Sequence, residues 1–269
     1  MTKPQTAGPE TPDDSTQQKP GTRSAQGEIV IGAAPDRVWR ALTDAHELRR
    51  WFPLDARVEP GPDGSIWMSW RNEFAADMKI LIWDPPRHLQ TGWSFHEADQ
   101  PAQVTDYRIE AKGGSTSLRV VTSGFPLDAS WDGWVEGTNR GWAFELYSLK
   151  HYLERHAGEP RHVAYVRRRV PLPRETAWAR LADDEALGRW LTAGRAFDDR
   201  HASQRAAVVD DPADALLRIS VEPASPGADH PEIVMWLSAW GPHEHRVGEL
   251  QTAWQDALER LFDEARGTN

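Results

Sequence analysis

The spacing of apolar positions changes along the chain in one order, and then does so again. After residue 27 a short apolar run, EIVI, passes through GAAPD into a helical stretch where Val38, Leu42 and, across a turn, Leu48 and Trp51 can face one core, until Pro53 stops it. Pro35 stands at the predicted start, where its fixed φ and missing N–H cost least. Five strand-length segments follow, SIWMSWR, DMKILIW, HLQTGWSF, TDYRIEA and TSLRVVTS, separated by Gly, Pro and Asp turns. Trp142, Leu146, Leu149 and Leu153 then recur at three- and four-residue spacing, which predicts a long amphipathic helix over 131–156. An antiparallel sheet of this length curls, and one long helix against it leaves a space between the two.

The same order returns in HVAYVRRRV, a helical stretch over 174–191, the strands LLRISV and EIVMWLSAW, and the closing helix ELQTAWQDALERLFDEA. Trp39, Leu42, Asp44, Leu48, Arg50 and Trp51 recur 139 positions on as Trp178, Leu181, Asp183, Leu187, Arg189 and Trp190. Trp142, Leu146 and Leu149 recur only 112 positions on, as Trp254, Leu258 and Leu261. The difference of 27 residues falls in the middle of the sheet region, so the second copy is expected to be shortened and its cavity smaller or absent. The predicted organisation is a disordered tail over 1–27, rich in Pro, Thr, Gln and Gly, a first domain over 28–158 and a second, degenerate domain over 159–269.

Composition narrows the function. A formal charge of −10 argues against a general nucleic-acid surface, which draws on clustered positive charge. The absence of Cys removes disulfides, thiolate nucleophiles and cysteine metal sites. There is no signal-peptide core and no apolar run long enough to cross a membrane, so a cytoplasmic location without membrane insertion is expected.

The candidate ligand site lies on the first sheet and the helix over it. Strand alternation puts Ile66, Met68 and Trp70 on one face and Trp67 on the other, and gives Met78, Ile80 and Ile82 a common face. With Trp93 and Phe95 these residues either pack a core or line a partly open apolar cavity. Trp142 is expected at its entrance, and Phe144, Tyr147 and His151 as a polar-tipped lid. Arg71 and Glu73 are the candidate polar site, Arg71 for an anion or a carbonyl. Glu73, Asp77, His88, Glu97 and Asp106 flank or enter strands, where paired carboxylates would do acid–base work only if their pKa values separated; the same residues also serve as ordinary charged decoration of sheet edges. No catalytic set is complete. His243 and His245 lack a third ligand, His151 and His156 are five apart on a predicted helix, and neither a metal nor a cofactor is expected. KGGSTS lacks the phosphate-loop spacing and reads as a tight hairpin. Trp51, Phe52 and Pro85-Pro86 read as devices of the fold, and Gly124 and Gly141 as sites of close backbone approach.

Three stretches carry a family resemblance: IGAAPDRVWRALTDAHELRRWF, WDPPRHLQTGW, and TSLRVVTSGF followed by GWAFELYSLKHYLE. In this order they resemble the START-like helix-grip (SRPBCC) superfamily, and within it the homologues of the activator of the heat shock protein 90 ATPase. The resemblance implies an α+β fold of two tandem helix-grip domains, each a curved antiparallel sheet wrapped around a long C-terminal helix. It also implies a lipid-sized cavity between sheet and helix. The expected function is a noncatalytic binding or regulatory module, taking an apolar small molecule in the first-domain cavity or a protein partner. Two alternatives stand beside it: an enzyme like the polyketide cyclases and aromatases, and a cochaperone stimulating a chaperone ATPase.

Overall fold

The computed structural model describes residues 21–70, 75–93, 103–182, 194–198, 204–222 and 229–263. The first unit runs β1 (Thr22–Ile31), α1 (Pro35–Thr43), α2 (Ala45–Leu48), β2 (Asp55–Glu59), β3 (Ser65–Ser69), β4 (Ala75–Asp84), β5 (His88–Trp93), β6 (Gln103–Lys112), β7 (Ser115–Pro126) and, after one 3-10 turn, α3 (Asp132–Arg155). The second runs β8 (Arg161–Arg169), α4 (Arg174–Leu181), β9 (Gly194–Asp198), β10 (Gln204–Asp210), β11 (Ala213–Glu222), β12 (Glu232–Trp240) and α5 (Glu244–Asp263). Two antiparallel sheets result, of order β1-β7-β6-β5-β4-β3-β2 and β8-β12-β11-β10-β9. These are two tandem helix-grip domains, the second two strands shorter among the described residues.

The sequence pattern explains most of these elements, with instructive exceptions. β1 begins at Thr22, so residues 22–27 pair with β7 instead of belonging to the tail. TRSAQG lacks large apolar residues, and alternation has nothing to register there. The part of the tail before residue 21 lies outside the described residues. A bulge at Leu81 separates the Ile80–Thr91 pair from the Ile82–Gln90 pair. Beyond it the strand's faces exchange, so Trp83 joins the core and meets Trp39 edge-on at 5.0 Å, where unbroken alternation would have put Ile82. Trp67 points outward beneath the guanidinium of Arg57, 4.4 Å from its ring centre. The Gly113-Gly114 turn has φ of +55° and +87°, as a two-residue hairpin requires.

Glycine positions resolve differently from expectation. Gly124 has φ +98° and stands at the register shift between β1 and β7, a bulge position. The close approach of backbone to helix is made by Gly27, where an added Cβ would lie 2.8 Å from Leu146 and 3.3 Å from Trp142. At Gly141 an added Cβ would meet nothing within 4 Å.

The two domains stack as four layers: first sheet, α3, second sheet, α5. Trp142, Leu146, Leu149 and Leu153 of α3 belong to the core with the first sheet, and the other side of the helix meets Val234, Trp236, Trp240 and Leu216 of the second sheet. Ile233, Met235 and Leu237, on the opposite face of β12, pack with Trp254, Leu258 and Phe262 of α5. Every residue of β12 is therefore buried, which is why EIVMWLSAW reads as a continuous apolar run without alternation.

Candidate functional site

Among the described residues the interior of the first domain is tightly packed. Trp51 is buried and donates its indole N–H to the Ala41 carbonyl at 2.8 Å, tying the end of the α1–α2 hairpin back to its first helix. Asp44 accepts from the His46 and Glu47 amides at 2.9 and 3.0 Å, capping α2. Glu47 is itself buried, and Tyr152 of α3 donates to it at 2.8 Å. Trp142 stands inside, its N–H on Thr122 Oγ1 at 2.9 Å and its ring edge-on to Tyr107 at 5.9 Å. What remains among Leu42, Trp51, Phe52, Met68, Met78 and Tyr107 is about 10 Å³, room for about one water.

The residues expected to line one cavity divide between two places. Met68, Met78 and Ile80 meet in the packed interior with Trp142. Phe144, Tyr147 and His151 lie on the opposite side of α3, toward the second domain. The Arg218 guanidinium stands 5.2 Å from the Phe144 ring, His151 Nε2 pairs with the Asp214 carbonyl at 2.9 Å, and the Tyr147 ring stacks on His151. Trp70 joins both places, edge-on to Phe52 at 5.3 Å and lining the space between the domains. Trp93 is half-buried at the end of β5. Phe95, Arg71 and Glu73 lie outside the described residues.

The larger space is a cleft of about 710 Å³ between α3 and the second sheet, lined by Trp70, Trp134, Tyr165, Trp236, Glu145, Arg167, Arg218 and Glu222 among others. A recess of about 300 Å³ shares Trp134, Arg167, Arg218 and Glu222 with it and adds Gly137, Arg140 and Gly141 of α3. Another groove at the domain seam, about 650 Å³, is lined by Arg49, Asp55, Arg161, Glu244 and Gln251 without a Trp, Phe or Tyr. The cleft with the tryptophans sets aromatic rings beside three arginines, Arg167, Arg169 and Arg218, and three carboxylates, Glu145, Glu222 and Glu232, so it offers a ligand both ring faces and charged partners.

Its electrostatics are uneven. Burial pushes the Glu145 carboxyl up to about 7, against the pull of the Arg218 and Arg161 charges. Near neutral pH Glu145 is thus able to donate a hydrogen bond. Glu222 is also desolvated, but Arg218, the hydroxyl of Ser220 at 2.7 Å, Arg140 and Arg174 outweigh that and hold it below the usual carboxylate range. Arg167 is engaged by Glu232, Nε to Oε2 at 2.9 Å.

Two other clusters satisfy themselves. His88 and Asp106 do meet, Nε2 to Oδ2 at 2.8 Å, but Asp106 also accepts from Gln90 and Arg108, each at 2.9 Å. Burial raises the Asp106 pKa, and these donors more than reverse it, so the carboxylate is a hub of a structural network. At the seam His151, His156 and Asp214 offer three ligand atoms within 4.8 Å, a grouping that five-residue spacing on a helix did not suggest. His156 follows the last turn of α3, and its ring comes back to 5.1 Å from that of His151. The set is already cross-bonded: His156 Nε2 pairs with Asp214 Oδ2 at 2.9 Å, its Nδ1 with Glu159 at 3.1 Å, and Arg155 donates to Asp214 at 2.5 Å. Arg155 thus supplies the cation that Asp214 needs. His243 precedes α5 and the exposed His245 sits in its first turn, 3.6 Å from Glu249.

Residues 32–154 match the family model described as Activator of Hsp90 ATPase homolog 1-like protein. Among solved structures, protein MLL2253 from Mesorhizobium loti is 23% identical, covers 50% of this chain and 98% of its own, and has a TM-score of 0.45. The Aha1 dimer from Colwellia psychrerythraea is 22% identical over 51% of this chain and 99% of its own, with a TM-score of 0.45. DynU16, from the dynemicin biosynthetic locus, is 18% identical and covers 90% of this chain and 98% of its own, with a TM-score of 0.43. A search of curated proteins returns no match. Likeness at this level carries no chemistry across, and the functional reading rests on this chain's own residues.

Proposed function

We propose that the protein is a noncatalytic binding module whose small-molecule site is the cleft between α3 and the second sheet, taking an apolar, ring-bearing ligand. One contrast supports this most: the pocket among the described residues inside the first domain holds about 10 Å³, against about 710 Å³ in a cleft edged by Trp70, Trp134, Tyr165 and Trp236. A drug-sized molecule needs several hundred Å³. No helix among the described residues is long and apolar enough to cross a membrane, and the net charge is −10, so neither bilayer insertion nor a general nucleic-acid surface is favoured.

The test uses the neutral fluorescent dye phenylnaphthylamine, titrated into the full chain. Saturable binding is expected, weakened about five- to tenfold by Trp134→Ala, the scale of one lost aromatic contact. Trp134 is 38% exposed, so its removal spares the fold. Saturable binding that ignores Trp134→Ala would move the site elsewhere. A second reading, regulation of a chaperone ATPase, draws on the family model matched by residues 32–154. It requires a purified heat shock protein 90 to hydrolyse ATP faster when the chain is added, and an unchanged rate would dismiss it.

A further inference from the structure

The recess beside α3 carries two features that packing does not explain. Arg140 is 3% exposed, yet its guanidinium is loosely held: Nη2 is 3.4 Å from Glu222 and Nε is 3.9 Å from Glu136. That Nε, and the Nε of Arg218, are buried donors with no hydrogen-bond partner among the described residues. Leaving a buried donor unmet costs about 1–3 kcal/mol, so such groups are kept where something meets them. Three arginines, Arg140, Arg167 and Arg218, line the recess against one carboxylate, Glu222. Arg167 is matched by Glu232 outside the recess, which leaves Glu222 as the acid that Arg140 and Arg218 share within it.

The second feature lies in α3 itself. Gly137 and Gly141 sit one turn apart and line the same recess, and a Cβ built on either meets nothing within 4 Å. Neither has the positive φ that would require glycine. Each costs the helix about 1 kcal/mol relative to alanine. A side chain would fit both positions sterically, so what the glycines provide is bare backbone along the wall next to Arg140.

We propose that this recess is an anion subsite, in which Arg140 and Arg218 grip the acidic group of an aromatic carboxylate while its ring plane lies along Gly137 and Gly141. The inference rests on the cleft being a small-molecule site. A planar guanidinium matches a carboxylate with two parallel N–H donors, and such charge-assisted bonds are about twice as strong as neutral ones. Trp134, shared by recess and cleft, then borders the ligand's apolar end.

The experiment compares two dyes of the same ring system on the full chain, anionic anilinonaphthalene sulfonate and neutral phenylnaphthylamine, with benzoate and naphthoate as competitors. The anionic dye is expected to bind at least about tenfold more tightly, naphthoate to displace it, and Arg140→Gln to erase that preference while sparing the neutral dye. Arg218→Gln serves the same purpose should Arg140→Gln fail to fold. Gly137→Leu should weaken both dyes while leaving the melting temperature equal or higher; a lowered melting temperature would make the glycine structural and overturn its part in the site. Equal binding of the two dyes, unmoved by either arginine variant, would overturn the anion subsite and leave the cleft reading standing. Failure of both dyes to bind would overturn both.

Discussion

At the scale of single residues, Trp51 shows why a repeated motif need not be an active site. Its ring is 1% exposed and stacked on Phe52 at 5.0 Å, and its one polar atom is spent on the Ala41 carbonyl. A side chain with no free polar atom and no path to solvent holds structure only. Trp51→Ala should cost about 3–5 kcal/mol of unfolding free energy in a denaturant titration, and Trp51→Phe clearly less because the ring volume survives while the N–H bond is lost. A silent Trp51→Ala would remove the structural assignment. Its repeat, Trp190, lies outside the described residues. Residue identity made this role legible, because Trp at a fixed place in a short hairpin has few other uses. The cleft was not legible in the same way: Arg140 and Arg218 come from α3 and β11, and nothing in local spacing marks two arginines as partners across a domain seam.

Among elements, α3 is the one whose pattern conceals most. Its apolar positions at Trp142, Leu146, Leu149 and Leu153 announce the face toward the first sheet, but Phe144, Tyr147 and His151 make a second contact face that periodicity reads as a lid. A helix held from both sides has a weakened amphipathic signal, and only the partner sheet reveals why. The far end of that second face is pH-sensitive. Burial holds the His151 imidazole below its ordinary value, against the upward pull of Asp214. The unfolded chain therefore takes up the proton first, and stability falls as pH drops below about 6.5 toward the lower folded value. Burial raises the Asp214 pKa, but the Arg155 hydrogen bond and the charges of His151, Arg155 and His156 outweigh it. A depressed carboxylate contributes stability that is present above about 3.9 and lost as pH falls through its folded value. Urea midpoints taken from about pH 8 down to about pH 3 should fall in these two windows. His151→Gln should remove the upper step and Asp214→Asn should shrink the lower, to which Asp106 and Glu222 also contribute, and a wild-type midpoint flat between about pH 7 and about pH 5 would count against a buried neutral His151.

For the whole molecule, the order of the four layers decides how it unfolds. Sheets and helices that pair within each domain were visible in the repeated pattern, but not that α3 is shared between both cores. If the domains separated, Val234, Trp236, Trp240 and Leu216 would meet water, each losing about 1.5–3 kcal/mol of burial. Polar ties at the seam would go as well: Trp240 donates to the Arg50 carbonyl at 2.7 Å, and Arg161 reaches the carbonyls of Phe52 and Pro53 at 3.1 and 3.3 Å, closing the end of the hairpin. That loss is comparable to the roughly 5–15 kcal/mol that holds an ordinary domain folded. Each domain is therefore expected to lose much of its stability once the other has gone, although each has its own sheet and helix. Calorimetry of the full chain should show one transition whose calorimetric and van't Hoff enthalpies agree. Trp240→Ala should lower that transition as a whole, by about 2–4 °C for each kcal/mol lost, without splitting it. Two resolved peaks in the wild-type chain, or a Trp240→Ala trace in which only the second half moves, would mean that the seam is a loose contact and that the cleft beside Trp134 opens and closes with it.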